Sequence, residues 1–303
     1  AYSLDRDFVK RLHQVAGELG AEPRFDGEAG DGFPLIGEVL HGDYNLIVND
    51  EMLDSCTNYE CYKGLYSSFN SMNMFEIAHS LHRQFGGDPW CIYRGKHLVS
   101  FADNHDVTRL ASILTCTEHL RGAYGVLFGM PGIPCLYYGS EWGQLGQKGT
   151  GYLADVEIRP QLDAPAADAL EHLAAGWEGG GAPNQLTAYI CELNHVRRAS
   201  RALCHGTYRN VVITNKQLLF ERDAAAEGEQ APERVLVAVN AEDCPFTLND
   251  GTLNGRFEVL LASAPCADDP NAAPDYPQTG DLLELEGSLT LLPYGVMYLR
   301  RTM

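Results

Sequence analysis

The sequence predicts an α/β fold followed by a smaller, all-β part. Apolar strands and amphipathic helices alternate through about the first 200 of the 303 residues, which is the pattern of parallel strands joined by crossover helices. After Leu203, short β-type runs separated by Asn, Asp, Gly and Pro replace that alternation. They predict a small antiparallel, sandwich-like domain. A chain with 45% hydrophobic residues at this length has apolar surface enough for one large domain or two.

The α/β part begins with a predicted helix over residues 5–19, which Asp5 caps and Gly20 ends. Apolar residues recur along it at steps of three or four: Phe8, Leu12, Val15 and Leu19. Four short strands are predicted after it, at residues 35–39, 53–59 (the weaker candidate), 98–102 and 133–138. Helices are predicted over residues 75–85, 118–128 and 184–199. A closed parallel barrel needs eight strands, so the pattern accounts for only part of one.

The β part contains six β-type runs, which read VVITN, QLLFER, RVLVAVN, FEVLL, LLELEG and VMYLRR. Residues 224–233 (AAAEGEQAPE) are predicted to be a polar hairpin loop between the second and third runs. We therefore expect two domains, residues 1–202 and 203–303. The Gly-rich stretch 143–183 has little periodicity and is interpreted either as an active-site lid or as a surface insertion without function.

Charge and cysteine usage narrow the class of protein. The formal net charge of −19 argues against nucleic acid or an anionic membrane as a partner, since both require a basic surface.

The chain has nine cysteines at scattered spacings, with no CxxC pair, and several lie inside apolar runs such as GIPCLYY. This usage favours a reducing, cytoplasmic compartment.

Polar residues follow each predicted strand at its C-terminal end. Glu38, His41 and Asp43 follow the first strand, and the stretch FADNHD (residues 101–106) ends the third. In a parallel barrel such strand ends converge on the face that carries the chemistry, and neighbouring carboxylates can divide acid and base roles. The residues suggest glycoside chemistry. Taken singly, each also fits a bland role: a solvated loop residue, a helix cap or a turn.

Three stretches in order resemble the α-amylase superfamily, glycoside hydrolase family 13. FADNHD is similar to the conserved region that ends a barrel strand with Asn-His-Asp, and GEVLHGD resembles the region with the acid/base Glu after the fifth strand. GMPGIPCLYYGSEWG (residues 129–143) is similar to the region at the eighth strand. The resemblance implies a partial TIM (β/α)8 barrel, about strands 5 to 8 with their helices, followed by the family's antiparallel β-sandwich domain.

The resemblance also implies roles for individual residues. Glu38 would be the general acid/base, and Asp106 would bind sugar hydroxyls and stabilise the oxocarbenium-like transition state. His105 and Asn104 would bind substrate, and Asn104 and Asp103 would support the strand end. His41 and Tyr44 would line the leaving-group side of the substrate site. The expected reaction is retaining cleavage of α-1,4-glucosidic bonds in maltodextrins or starch.

The family's nucleophile, an Asp in a stretch resembling Arg-x-Asp-x-Ala, has no match in this chain. The resemblance locates that Asp upstream of Ala1, so we expect a fragment with two of three catalytic carboxylates, inactive in isolation. Alternatives stay open: a 4-α-glucanotransferase or α-glucosidase of the same family, or a non-catalytic glucan-binding relative. No cofactor is assigned. Calcium is common in the family, but its ligands lie largely in the unmatched part.

Overall fold

A computed structural model describes residues 1–20, 32–161, 184–264 and 276–302. Four strands form its parallel layer: β1 (Ile36–Gly37), β2 (Ser55–Cys56), β3 (Val99–Phe101) and β4 (Ile133–Cys135). β1 pairs with β2 and β3 with β4, both in parallel, and a parallel bridge between Thr57 and Val99 joins the two pairs. The predicted α/β pattern is therefore confirmed, although each strand is shorter than predicted.

Helices flank this layer. They are α1 (Arg6–Gly20), α2 (Tyr59–Asn70), α3 (Phe75–Phe85), α4 (Leu110–Ile113), α5 (His119–Gly129), α6 (Gln185–Ala199) and α7 (Arg201–His205). The predicted helices α1, α3, α5 and α6 are confirmed. None of the helices in the described ranges combines the length and apolarity that a bilayer crossing requires. Short 3₁₀ turns occupy Tyr44–Leu46, Ser140–Trp142 and Gly151–Leu153.

Helix α2 was not predicted from the sequence, because its residues YECYKGLYSSFN include few strong helix formers. The start of the helix is specified by its cap: the Asn58 side chain accepts a hydrogen bond from the Cys61 backbone N–H at 3.2 Å. Burial of Cys61, Leu65 and Phe69 then supplies the packing. Tertiary contacts and a cap override weak propensity here.

The buried face of α1 is not the apolar stripe that the sequence pattern predicts. Val9 and Ala16 are buried, whereas Phe8, Leu12 and Leu19 are 55%, 39% and 55% exposed. Among the described residues, the core contacts α1 through Val9, so the stripe predicted from periodicity faces outward. Periodicity identifies a helix, but it does not say which neighbour packs on which face.

The β part is one six-stranded antiparallel sheet in the order β5-β6-β7-β10-β8-β9. Its strands are β5 (Thr207–Ile213), β6 (Gln217–Ala224), β7 (Glu233–Asn240), β8 (Phe246–Ser263), β9 (Leu282–Leu291) and β10 (Val296–Arg301). The predicted loop 224–233 joins β6 to β7, with Ala224 opposite Glu233. The sheet curls until β8 contacts β5, so one sheet encloses an apolar core on its concave side. This curl provides the sandwich-like layering.

The convex side of the sheet packs on the helices, and one hydrophobic cluster runs through both parts of the chain. Close approach of α5 to the sheet depends on Gly125, where an added Cβ would lie 2.7 Å from Val296 Cγ1. Tyr298 lies two residues after Val296 on the same strand, and its hydroxyl donates a hydrogen bond to the Gly125 carbonyl. The boundary expected between residues 202 and 203 falls inside α7, and the two-domain division stays a prediction.

Two buried arginines, one in the sheet and one in α6, donate hydrogen bonds to carbonyls at the C-terminal end of α5. Arg197 donates to the carbonyls of Phe128 and Met130, and Arg222 donates to the Gly129 carbonyl at 2.8 Å. Burial, with the nearby Arg197 charge, lowers the pKa of Arg222 to about 9. The carbonyl hydrogen bonds compensate for the loss of hydration of these cations.

We predict opposite effects of the same substitution at two helical glycines. Gly125→Ala should lower the free energy of unfolding by about 1–2 kcal/mol, because the clash with Val296 outweighs the helix-propensity gain of about 1 kcal/mol. Gly17→Ala, in α1, meets no heavy atom within 4 Å and should raise stability by up to about 1 kcal/mol. Urea unfolding of both variants measures the difference. A stabilising Gly125→Ala would contradict the close packing of α5 on the sheet.

Candidate active site

Three titratable side chains converge at the C-terminal ends of the parallel strands. Glu38 follows β1 directly, and His105 and Asp106 lie in the loop after β3. One side-chain nitrogen or oxygen from each lies within 4.8 Å of the others. His105 Nε2 is 3.9 Å from Glu38 Oε1 and 3.4 Å from Asp106 Oδ2. The side chains remain a third to a half exposed, so a solute can reach all three.

A buried aspartate shapes the loop that carries His105 and Asp106. Asp103 is 3% exposed and accepts hydrogen bonds from the Leu110 backbone N–H at 2.7 Å and from the Ser140 hydroxyl at 2.8 Å. Asn104 Oδ1 accepts from the Asp106 backbone N–H at 2.8 Å. The expected supporting role of Asp103 and Asn104 stays a prediction, and these hydrogen bonds support it. Burial raises the pKa of Asp103, against the effect of its hydrogen bonds and the nearby Arg109 charge.

Arg109 connects the Ser140 segment to a further loop through buried hydrogen bonds. Its guanidinium is fully buried and donates to the Tyr138 carbonyl at 2.7 Å, the Ser140 hydroxyl at 3.3 Å and the Ile158 carbonyl at 3.0 Å. The ring of Tyr137 lies under the cation, 4.5 Å from Cζ. Arg109 therefore joins the segment after β4 to the loop that ends near Ile158.

Two cations from the segment 148–159 contact Asp106, and neither was predicted from the sequence. Arg159 Nη2 lies 2.7 Å from Asp106 Oδ1, and its Nε donates to the His105 carbonyl at 2.8 Å. Lys148 donates to the Asp106 carbonyl at 2.6 Å, and Asp155 pairs with both cations. The described part of the Gly-rich stretch 143–183 thus borders the site, while residues 162–183 lie outside the described ranges. Lys148 and Arg159 lie 42 and 53 positions after Asp106, and no local spacing in the sequence predicts these contacts.

Tyr59 links the acidic group to a neighbouring cavity. Its hydroxyl accepts a hydrogen bond from Asn104 Nδ2 at 2.9 Å. Burial raises the pKa of Tyr59, and the charges of Glu38 and Asp106 raise it further. The same side chain lines a cavity of about 560 Å³ that His41 also lines. The expected position of His41 beside the leaving group is compatible with this cavity and stays a prediction.

Tyr44, expected on the leaving-group side, packs mainly in the core, and its role in substrate binding stays a prediction. Tyr44 is only 2% exposed, and its ring stacks on Tyr93 with centroids 4.9 Å apart. Its backbone N–H donates to the Tyr93 hydroxyl at 3.1 Å. Tyr44 therefore serves mainly as a core residue whose edge forms part of the cavity wall. An aromatic residue near a strand end is as compatible with packing as with binding, and the sequence did not distinguish the two.

Comparison with known proteins relates the fold of this chain to solved structures. No protein-family model matches the chain. α-Amylase 1 of Schizosaccharomyces pombe is 33% identical over 143 residues, which are 46% of this chain and 22% of that protein. Among solved structures, an Anoxybacillus α-amylase matches with a TM-score of 0.69 and 18% identity, covering 99% of this chain and 57% of its own. AmyP in complex with maltose matches with a TM-score of 0.70 and 16% identity, at 99% and 62% coverage.

The fold is that of the C-terminal portion of α-amylases. This chain spans less than two thirds of each of these relatives. It contains the partial barrel expected from the resemblance and the antiparallel β domain that follows it. In this α-amylase fold Glu38, His105 and Asp106 come together, with Asn104 one hydrogen bond away, whereas His41 and Tyr44 border the adjoining cavity.

We predict that Asp103→Ala lowers the free energy of unfolding by about 3 kcal/mol, because it removes the acceptor of the Ser140 hydroxyl and the Leu110 N–H and the negative charge near buried Arg109. Ser140→Ala should cost less, and the two effects should couple by about 1 kcal/mol in a double-mutant cycle. Glu284→Ala, with a side chain 67% exposed, is the control and should change stability by less than about 0.5 kcal/mol. Equal effects of Asp103→Ala and the control would contradict the supporting role.

Proposed function

We propose that this chain carries the acid/base and transition-state-stabilising groups of an α-glucan-active glycoside hydrolase of the α-amylase family. The observation that carries the proposal is the convergence of Glu38, His105 and Asp106 within 4.8 Å at the C-terminal ends of β1 and β3. The S. pombe relative named as an α-amylase, and the neighbouring structure named as a maltose complex, support an α-glucan oligosaccharide or starch as the substrate.

The proposed roles follow from how each group is held. Glu38 has an accessible carboxyl group that protonates the glycosidic oxygen and afterwards activates water. Asp106 is oriented by Arg159 through Oδ1, which leaves Oδ2 on the side of His105. In this arrangement Asp106 and His105 bind the hydroxyls of one sugar ring, and the carboxylate stabilises positive charge on that ring in the transition state.

Retention of configuration requires a nucleophilic carboxylate about 5–5.5 Å from the acid/base. The proposal assigns that role to an Asp upstream of Ala1, as the resemblance implies, and assigns α-1,4 bonds as the target. On this basis the 303-residue chain binds the sugar substrate but does not hydrolyse it. A carboxylate oxygen of Asp106 lies within 4.8 Å of one of Glu38, so Asp106 is the residue to test if the chain alone is active.

The proposal places the enzyme in a reducing, cytoplasmic compartment. Each of the eight cysteines in the described ranges is a free thiol, and Cys56 and Cys61 are buried in the core. Burial raises the pKa of the Cys56 thiol to about 12, which keeps it protonated and unreactive at neutral pH. Such cysteines pack as small apolar side chains.

We predict that Glu38→Gln lowers hydrolysis of maltooligosaccharides by about 10²–10⁴-fold in a polypeptide that includes the upstream Asp, because the amide cannot donate a proton. Reducing-sugar release measures the rate, and Glu284→Gln, far along the chain on β9, should leave it unchanged. Hydrolysis by the 303-residue chain alone that Glu38→Gln abolishes would overturn the assignment of the nucleophile. Undiminished activity of Glu38→Gln in the longer polypeptide would overturn the acid/base role.

We also predict that Asp106→Asn weakens maltotriose binding about tenfold or more, because it removes a charged acceptor for sugar hydroxyls. Titration calorimetry on the 303-residue chain tests binding without requiring turnover. Asp250→Asn, whose carboxylate accepts hydrogen bonds from Thr252 within strand β8, is the matched control and should bind as the parent does. Equal affinities of the two variants would contradict a role of Asp106 in sugar binding.

A further inference from the structure

A second cluster of chemically capable side chains lies in the segment that connects α3 to β3. His82 is in the last turn of α3, and Asp88 and Cys91 follow in the loop. One ligand atom from each of the three lies within 4.8 Å of the others. This loop precedes β3, whereas His105 and Asp106 of the candidate active site follow it. The proposed glycoside chemistry makes no use of this cluster.

We propose that His82, Asp88 and Cys91 bind one divalent transition-metal ion, with Zn²⁺ as the best match and water completing the coordination. A thiolate, an imidazole and a carboxylate are the donors that Zn²⁺ takes in proteins. A deprotonated Cys91 and Asp88 with neutral His82 carry two negative charges, which balance the charge of the ion. Mg²⁺ and Ca²⁺ prefer oxygen ligands and suit this set poorly.

The distances suit an ion after a small rearrangement. His82 Nε2 lies 2.9 Å from Asp88 Oδ2, and the Cys91 Sγ donates to the His82 carbonyl at 3.0 Å. Ligand atoms of a tetrahedral zinc lie roughly 3–4 Å apart, given bonds of about 2.0–2.3 Å. The three donors therefore have to move by an ångström or so. Cys91 has to exchange its carbonyl contact for the metal, releasing a proton.

The loop already holds its ligands in place. Cys91 N–H donates to the Asp88 carbonyl at 3.1 Å, and the next residue, Ile92, donates to the Arg83 carbonyl at 3.0 Å. Arg94 donates to the carbonyls of Gly86 and Asp88, which leaves the Asp88 carboxylate facing His82. Chain entropy lost on binding is therefore small, because the backbone between the ligands is fixed beforehand.

A glycine keeps the space between two of the ligands clear. A Cβ added to Gly86 would lie 2.6 Å from the His82 carbonyl oxygen, 2.8 Å from His82 Nδ1 and 3.0 Å from Cys91 Sγ. The Trp90 ring contacts the His82 ring edge-on, with centroids 5.1 Å apart, and restricts its rotation. Gly86 therefore allows the imidazole and the thiol to lie side by side, and Trp90 limits the orientations of the imidazole.

A second group of possible ligands provides an internal contrast. Glu242, Asp243 and Cys244 are consecutive residues whose ligand atoms also lie within 4.8 Å of one another. There, however, Lys216 forms an ion pair with Glu242 and supplies the positive charge, and the group offers no imidazole. We expect no tight zinc site at Glu242–Cys244, so Cys244→Ser serves as the matched control for Cys91→Ser.

Binding of Co²⁺ and Zn²⁺ to the 303-residue chain tests the proposal. We expect one equivalent of Co²⁺ to give a thiolate-to-cobalt charge-transfer band, displaced by Zn²⁺, with affinity measured against a chromophoric chelator. Cys91→Ser should abolish the band, and Cys91→Ser and His82→Gln should each weaken zinc binding by about 100-fold. Gly86→Ala should weaken binding by crowding two ligands, while Cys244→Ser should leave band and affinity unchanged.

Three results would overturn the proposed zinc site. A band that survives in Cys91→Ser, or that disappears in Cys244→Ser, would overturn the proposed ligand set. Zinc affinity unchanged in both Cys91→Ser and His82→Gln would overturn it as well. Each variant is first shown to keep the parent's circular dichroism and unfolding midpoint without metal. If Cys91→Ser fails that check, His82→Gln on the surface of α3 decides the question.

Discussion

The buried carboxylate of Asp103 is the constraint on which the candidate site depends. It fixes the start of α4 through the Leu110 N–H and holds the segment after β4 through Ser140. Ser140 in turn accepts from Arg109, which also binds the Ile158 carbonyl, and the next residue, Arg159, returns to Asp106. A charge buried this deeply tolerates few alternative partners, so the loop has few alternative conformations.

The side chains proposed for the chemistry are accessible to solvent, whereas the residues that hold them in position are buried. Glu38, His105 and Asp106 have side chains that are 47%, 51% and 35% exposed. Asp103 and Arg109 below them are buried. A site that binds sugar hydroxyls in place of water needs solvent-exposed side chains. Their positions have to be fixed by buried residues, which are less mobile. The loop after β3 carries both kinds of residue, buried Asp103 and Arg109 and accessible His105 and Asp106, while Glu38 joins them from the end of β1.

Much of the architecture could be predicted because it depends on local patterns. The helix α3 has the predicted bounds, and α6 begins after Asn184, whose side chain and that of Thr187 form a capping box. Alternating β-type runs identified all six strands of the sheet. Helix α2 was missed because its stability comes from the Asn58 cap and from burial of Leu65 and Phe69, which are not local signals.

The sequence by itself determined the fold class and the identity of the groups at the strand ends, since strand periodicity and the stretches GEVLHGD and FADNHD are properties of neighbouring residues. Only the tertiary structure decided which of them meet. It brought Glu38 to His105 and Asp106, 67 and 68 positions later, buried Tyr44, turned Phe8 and Leu12 outward and delivered Arg159 to Asp106. These outcomes depend on contacts between residues distant in the chain, and such contacts leave no periodic trace in the sequence.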